Sequence, residues 1–201
     1  MNRVVIASSN PGKLRELSAL LKPLGIEAIP QSDFAVTEAE EPHFTFLENA
    51  LAKARHAAAI TGLPSLADDS GLCVPALRGE PGVHSAYYAG RKGSREERDA
   101  RNNAKLVEEL RDAGDRSAFY YCVLVLLANA DDPTPVVADG TWHGQVVRVP
   151  RGASGFGYDP YFLVRGGVLT AAEMPAAEKN RVSHRGQALA ALARRITSRG
   201  A

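Results

Sequence analysis

The chain predicts a mixed α/β fold, and three observations carry that prediction. Apolar runs of strand length alternate with amphipathic helical runs between Val4 and Leu66. From Phe119 to Val149 strand patterns follow one another with turn residues between them, which reads as an antiparallel meander. Finally, 201 residues, 45% of them hydrophobic, suffice to bury a sizeable core in one domain spanning 1–201, or in one such domain of two lobes.

Taken in order, Val4 to Ser8 reads as a buried strand and Ser9-Asn10-Pro11-Gly12 as a loop. Lys13 to Leu24 reads as a helix with Leu14, Leu17, Leu20 and Leu21 on one face, stopped by Gly25. Ile26 to Pro30 is a second short strand. Thr45 and Glu48 have the spacing of a capping box and open an alanine-rich helix that runs to Ile60. Its expected apolar stripe is Leu47, Leu51, Ala54 and Ala58, with Asn49 and Lys53 together on another face, and Gly62 ends it. Leu63 to Ala67 then delivers Asp68-Asp69 at a strand end, where Ser70-Gly71 is expected to turn the chain. The Gly- and Tyr-rich segment 78–93 reads as a loop, and Arg95 to Arg111 as a charged helix solvated over most of its surface. Phe119 to Ala128, Val136 to Trp142 and Gln145 to Val149 form the meander, with a turn at Asp131-Asp132-Pro133-Thr134. After the glycine-rich Gly152 to Asp159 come a short strand, Tyr161 to Val164, and a closing helix, Gly186 to Ile196.

Charge is balanced, 24 basic against 23 acidic residues, so no global field advertises a nucleic-acid or anionic-membrane partner. A small anionic ligand needs only a local cluster. Two separated cysteines make neither a disulfide framework nor a zinc site, and Cys122, inside an apolar run, reads as a small buried hydrophobe. The start lacks a signal segment, and no stretch reaches the roughly 20 apolar residues that span a bilayer. The expectation is a soluble protein of a reducing, cytoplasmic compartment.

Four groups of residues carry chemistry. The adjacent carboxylates Asp68-Asp69 repel each other and supply no apolar burial; a divalent metal would stabilise them, and so would plain solvation in a turn. One of Glu38, Glu40 or Glu41 would complete such a magnesium site. Ser8-Ser9-Asn10-Pro11-Gly12-Lys13 lies between a strand and a helix, where the helix dipole and the lysine favour an anion, although the spacing is not that of a P-loop. Gly155-Phe156-Gly157-Tyr158-Asp159-Pro160 allows close backbone approach to a flat ligand with aromatic stacking, or forms a tight packed turn. In Lys179 through Arg185, Ser183 is a good N-cap, which puts His184 and Arg185 in a first helical turn where cations oppose the dipole unless an anion or electron-rich ligand is bound.

In this order, Ser-Ser-Asn-Pro-Gly-Lys, Thr-Phe-Leu-Glu-Asn-Ala, Ala-Asp-Asp-Ser-Gly-Leu, Pro-Gly-Val-His-Ser-Ala, Gly-Phe-Gly-Tyr-Asp-Pro and Ser-His-Arg-Gly resemble the inosine/xanthosine triphosphate pyrophosphatase family, its bacterial branch above all, from Val4 to Leu192. The resemblance implies an elongated α/β structure of two lobes with a central substrate cleft, and a homodimer that binds neither nucleic acid nor membrane. It implies Mg2+-dependent hydrolysis of ITP, dITP or XTP to the monophosphate and pyrophosphate, which clears deaminated purines from the nucleotide pool. Carried onto this chain, Ser8, Ser9, Asn10, Pro11, Gly12 and Lys13 would hold the triphosphate. Asp69 would be general base and metal ligand, with Glu40 as a second ligand; Asp68 and Glu41 are close enough in sequence to share those duties. Ser70 would touch substrate, and Lys53 and Asn49 would support phosphates or carboxylates. Phe156, Gly157, Tyr158, Asp159, Lys179, His184 and Arg185 would line the base and sugar. Ser9 stands where many relatives have glycine, which bears on fine loop geometry.

Overall fold

The computed structural model of the protein describes residues 2–199, and it is mixed α/β. Six strands, β1 (Arg3–Ile6), β2 (Glu27–Pro30), β3 (Ser65–Cys73), β4 (Ser117–Leu127), β5 (Val136–Val146) and β6 (Phe162–Val164), lie in the order β2-β1-β3-β4-β5-β6. β1 pairs parallel with both β2 and β3, and β5 pairs antiparallel with β6. The helices are α1 (Pro11–Leu21), α2 (Phe46–Thr61), α3 (Arg95–Glu109), α4 (Ala176–Val182) and α5 (His184–Arg199). Among the described residues no helix is long and apolar enough to cross a membrane.

The chain divides into two compact units. The first comprises the residues up to Asp69, Cys122–Gly140 and those from His184 onward; the second is Ser70–Tyr121 with Thr141–Ser183. In the first, Val4 and Ile6 of β1 and Leu66 of β3 pack with Leu17 and Leu21 of α1, Leu124 of β4 and Leu189 and Leu192 of α5. In the second, Leu72, Leu106 and Leu110 gather with Tyr120, Trp142 and Phe162. The Phe162 ring lies 4.7 Å from Tyr120 and 5.2 Å from Trp142, centroid to centroid, within the range of favourable aromatic pairs.

Four local expectations give way to the structure. Ser70-Gly71 does not turn: β3 runs through it to Cys73, because Leu72 and Cys73 are buried and continue the strand's apolar requirement. Pro11 and Gly12 belong to α1 rather than to a loop, since Asn10 caps the helix and Pro11 takes its first position, where no N–H is needed. The buried face of α2 is Asn49, Ala50, Ala54, Ala57 and Ala58, whereas Leu47 is exposed, so Asn49 faces inward rather than outward. Val136 to Val146 is one strand, β5, which takes in the first of the two expected segments and only the start of the second, and it lies between β4 and β6.

Candidate active site

Asp68 and Asp69 are consecutive on β3, so their side chains leave opposite faces of the strand and meet different neighbours. Asp68 is fully buried in the first unit. Its Oδ1 pairs with the Lys13 ammonium; its Oδ2 accepts from Arg185 Nε at 2.9 Å and from the Cys122 thiol at 3.1 Å. Arg185 also binds Glu16 of α1. Burial pushes the Asp68 carboxyl upward, but Arg185 and Lys13 outweigh it and hold the group well below the usual carboxylate range. A carboxylate held this way is suited to fixing Lys13 and Arg185 in place.

Asp69 is different. Its Oδ1 accepts from Lys53 Nζ at 2.7 Å, and Lys53 also reaches Glu41 Oε1 at 2.9 Å. Its Oδ2 is buried without a hydrogen-bond partner. Burial raises the Asp69 carboxyl above its ordinary range although Lys53 and Lys13 pull it down. Burial would lower Lys53, but Asp69 and Glu41 more than offset it and keep the ammonium charged. The result is a buried carboxylate with one free oxygen beside a fixed cation, an arrangement for activating water near an anionic substrate.

Of the three glutamates considered, the structure brings Glu41 to Lys53 and Asp69 through the shared ammonium. Glu40 is exposed, and Glu38 accepts from the Ser9 hydroxyl. Among the described residues no three His, Cys, Asp or Glu side chains converge as a metal cage. Asn49, expected to support phosphates or carboxylates, holds the chain ahead of α2, accepting from His43 N at 3.1 Å and donating to His43 O at 3.2 Å. Asn10 Oδ1 accepts from Gly12 and Lys13 N–H, at 2.9 and 3.2 Å, so these helix-end donors are already occupied. The Ser9 proton goes to Glu38 and the Lys13 ammonium pairs with Asp68, so an anion here would draw on the Lys13 charge, the Ser8 hydroxyl and the dipole.

His184 and Arg185 occupy the first turn of α5, after Ser183 in extended backbone, as the cap reading expects. Both are buried, and Arg185 belongs to the carboxylate cluster of the first unit. Gly140 makes this possible, because a Cβ there would lie 2.2 Å from the His184 carbonyl oxygen.

In the second unit Phe156, Gly157, Tyr158 and Asp159 form a tight loop closed by Asp159 and Lys179. Lys179 Nζ lies 2.6 Å from Asp159 Oδ2, which also accepts from Phe156 N at 2.9 Å; Tyr120 Oη donates to Asp159 Oδ1 at 3.3 Å. A Cβ on Gly155 would lie 2.0 Å from the same Oδ2, so glycine is required for this closure. Lys179 and Arg95 lie 5.2 and 4.8 Å from the Phe156 ring centroid, and Tyr158 Oη donates to Ser85 O at 2.9 Å. The N–H groups of Phe156, Gly157 and Asp159 are all bonded within the protein, which leaves side chains and ring faces to meet a ligand. Ser70, half-buried, follows Asp69 on β3. The sequence reading missed α4, which carries Lys179, and the buried Asn102 and Asn103 of α3; two asparagines on an inward helical face were the available signal.

A buried carboxylate held by lysine, with further cations on the carboxylate beside it in the chain, is an arrangement suited to an anionic, phosphorylated substrate in an α/β protein. Residues 4–195 match the Ham1 family, and the chain belongs to that family. It is 60% identical over 195 residues to a dITP/XTP pyrophosphatase of Burkholderia pseudomallei, covering 97% of this chain and 93% of that protein. It is 59% identical over 197 residues to the dITP/XTP pyrophosphatase of Nitrosomonas europaea, covering 98% and 95%. Among solved structures, a HAM1 protein from Coxiella burnetii is similar with a TM-score of 0.89 at 49% identity, covering 98% of this chain and 100% of that one. A nucleoside-triphosphatase, or dITP/XTP pyrophosphatase, from Mycobacterium abscessus matches with a TM-score of 0.72 at 46% identity, covering 94% and 98%.

Proposed function

We propose that this protein hydrolyses deaminated purine nucleoside triphosphates, dITP, XTP and ITP, to the nucleoside monophosphate and pyrophosphate. The near-full-length identity to dITP/XTP pyrophosphatases supports the substrate class. The observation that carries the chemistry is Asp69, buried, its carboxyl pushed up by that burial, with no hydrogen-bond partner on Oδ2. In this reading Asp69 takes the proton of a water that attacks the α-phosphorus in line, and pyrophosphate leaves. Lys53 fixes the Asp69 carboxylate, and Lys13 adds positive charge where the phosphates bind.

The free Oδ2 of Asp69 and the nearby acidic loop also fit a hard cation, because a buried carboxylate oxygen lacking a donor is what such an ion takes. Asp69 and the Glu40-Glu41 pair would hold magnesium, whose chemistry when bound is to neutralise charge on phosphate oxygens. With so few protein carboxylates, water and phosphate oxygens would complete its shell, which is the ordinary habit of magnesium. Phe156, Tyr158, Asp159 and Lys179 would take the base and sugar, with Ser70 as a further contact. A 6-oxo purine accepts where adenine donates, so fixed side-chain donors reward the first and are left unpaired by the second.

The test is turnover of dITP, XTP, GTP and ATP with magnesium, with pyrophosphate detected separately from orthophosphate. Pyrophosphate from dITP and XTP, with little from ATP or GTP, is the expected result. Orthophosphate from every substrate would make the protein a general phosphohydrolase, and nucleotide binding without product would make it a binding module.

A further inference from the structure

We infer that Asp99 and Asn103 of α3 are positioning residues for the Phe156–Asp159 loop and thereby set the affinity for the base. The inference rests on the proposed role of that loop. Asp99 Oδ2 accepts from Gly157 N at 3.0 Å, and Asn103 Nδ2 donates to Gly157 O at 2.9 Å. One residue is thus held at both its backbone groups by side chains one helical turn apart. Asn103 Nδ2 also donates to Asp99 O at 2.8 Å, so its two amide hydrogens are both accounted for and its rotamer is fixed. Gly157 has φ +64°, which glycine adopts without steric penalty, so what places its two backbone groups is the pair of hydrogen bonds from α3.

The same helical face continues to Arg95, one turn earlier. Its guanidinium lies 3.8 Å from Asp99 and 4.8 Å from the centre of the Phe156 ring. Asn102, next to Asn103, donates to Ser85 O at 3.2 Å, the carbonyl that also accepts from Tyr158 Oη. Three consecutive loop residues, Phe156, Gly157 and Tyr158, are therefore oriented by groups that α3 fixes directly or through Ser85. None of Asp99, Asn102 or Asn103 needs to touch a nucleotide to act. Their effect is on where the aromatic rings and the Asp159–Lys179 pair stand when the base arrives.

The experiment compares Asp99→Leu, Asn103→Leu and Asp99→Asn with Phe156→Ala and the unaltered protein, using steady-state kinetics on dITP and thermal melts of each. Asp99→Leu and Asn103→Leu should raise KM about tenfold or more, with kcat changed much less. Asp99→Asn, which keeps an oxygen acceptor for Gly157 N–H, should stay close to the unaltered enzyme. An unchanged KM in both leucine variants, with a raised KM in Phe156→Ala, would overturn the inference and leave the loop's role standing. An unchanged KM in Phe156→Ala as well would remove the loop from base binding and the inference with it. Equal falls in kcat and melting temperature without a KM effect would make the contacts merely structural and also overturn it.

Discussion

At Asp69 two opposing effects meet: burial favours the protonated acid, and the ammonium of Lys53 favours the carboxylate. Burial prevails, so the folded group holds its proton to a higher pH than an unfolded aspartate does. A base must be ionised to act, so kcat/KM should fall on the acid side with an apparent pKa above the ordinary 3.9 of aspartate, which a pH profile on dITP reads directly. The linkage has the opposite sign from a stabilising ion pair: the folded state binds more protons, and stability declines as pH rises through the folded value. Asp69→Asn should therefore lower turnover about 10²–10⁴-fold while melting no lower than the parent. Asp68 behaves in reverse. Its depressed pKa contributes stability that is fully present above about pH 4 and lost as pH falls toward the folded value. Arg185→Ala removes a cation from that fully buried carboxylate and should cost about 3–5 kcal/mol in denaturant unfolding. The family resemblance named Asp69 as the base, but the residue pattern alone did not separate it from Asp68, because the surroundings of each depend on which face of β3 it leaves and on cations from α1, α2 and α5.

At the scale of elements, α1 was legible because its leucines repeat at helical spacing, and Leu17 and Leu21 are fully buried against β1. Leu17→Ala should cost about 2–5 kcal/mol, measured by unfolding in urea. Gly140 shows what spacing could not reveal. A Cβ there meets the backbone of α5 at His184 and Ala188, so Gly140→Ala should displace the first turn of that helix, lowering both melting temperature and turnover. The stripe of α2 was read correctly at Ala54 and Ala58 but not at Leu47, because alanines carry too little apolar signal to outweigh two leucines. The continuation of β3 through Ser70-Gly71 was hidden by residues that usually turn; buried neighbours overrode that local preference. The α4 segment, seven residues long, is too short to show a helical period.

For the molecule as a whole, the fold class was readable from alternation and composition, and the family from six motifs in register, whereas the contacts of Asp99 and Asn103 with Gly157 emerged only from three-dimensional neighbours. A near-zero net charge of +1 leaves substrate attraction to local clusters such as Lys13 and Lys53, so turnover should depend on ionic strength only modestly. If magnesium completes the site, a chelator should abolish turnover and added magnesium restore it, with the fold unchanged by circular dichroism. The most direct measurement of the central claim is hydrolysis of dITP in water enriched in the heavy oxygen isotope, followed by mass spectrometry of both products. Attack at the α-phosphorus places the heavy oxygen in the nucleoside monophosphate and leaves pyrophosphate unlabelled. Label in pyrophosphate, or in released orthophosphate, would place the attack elsewhere and contradict the account.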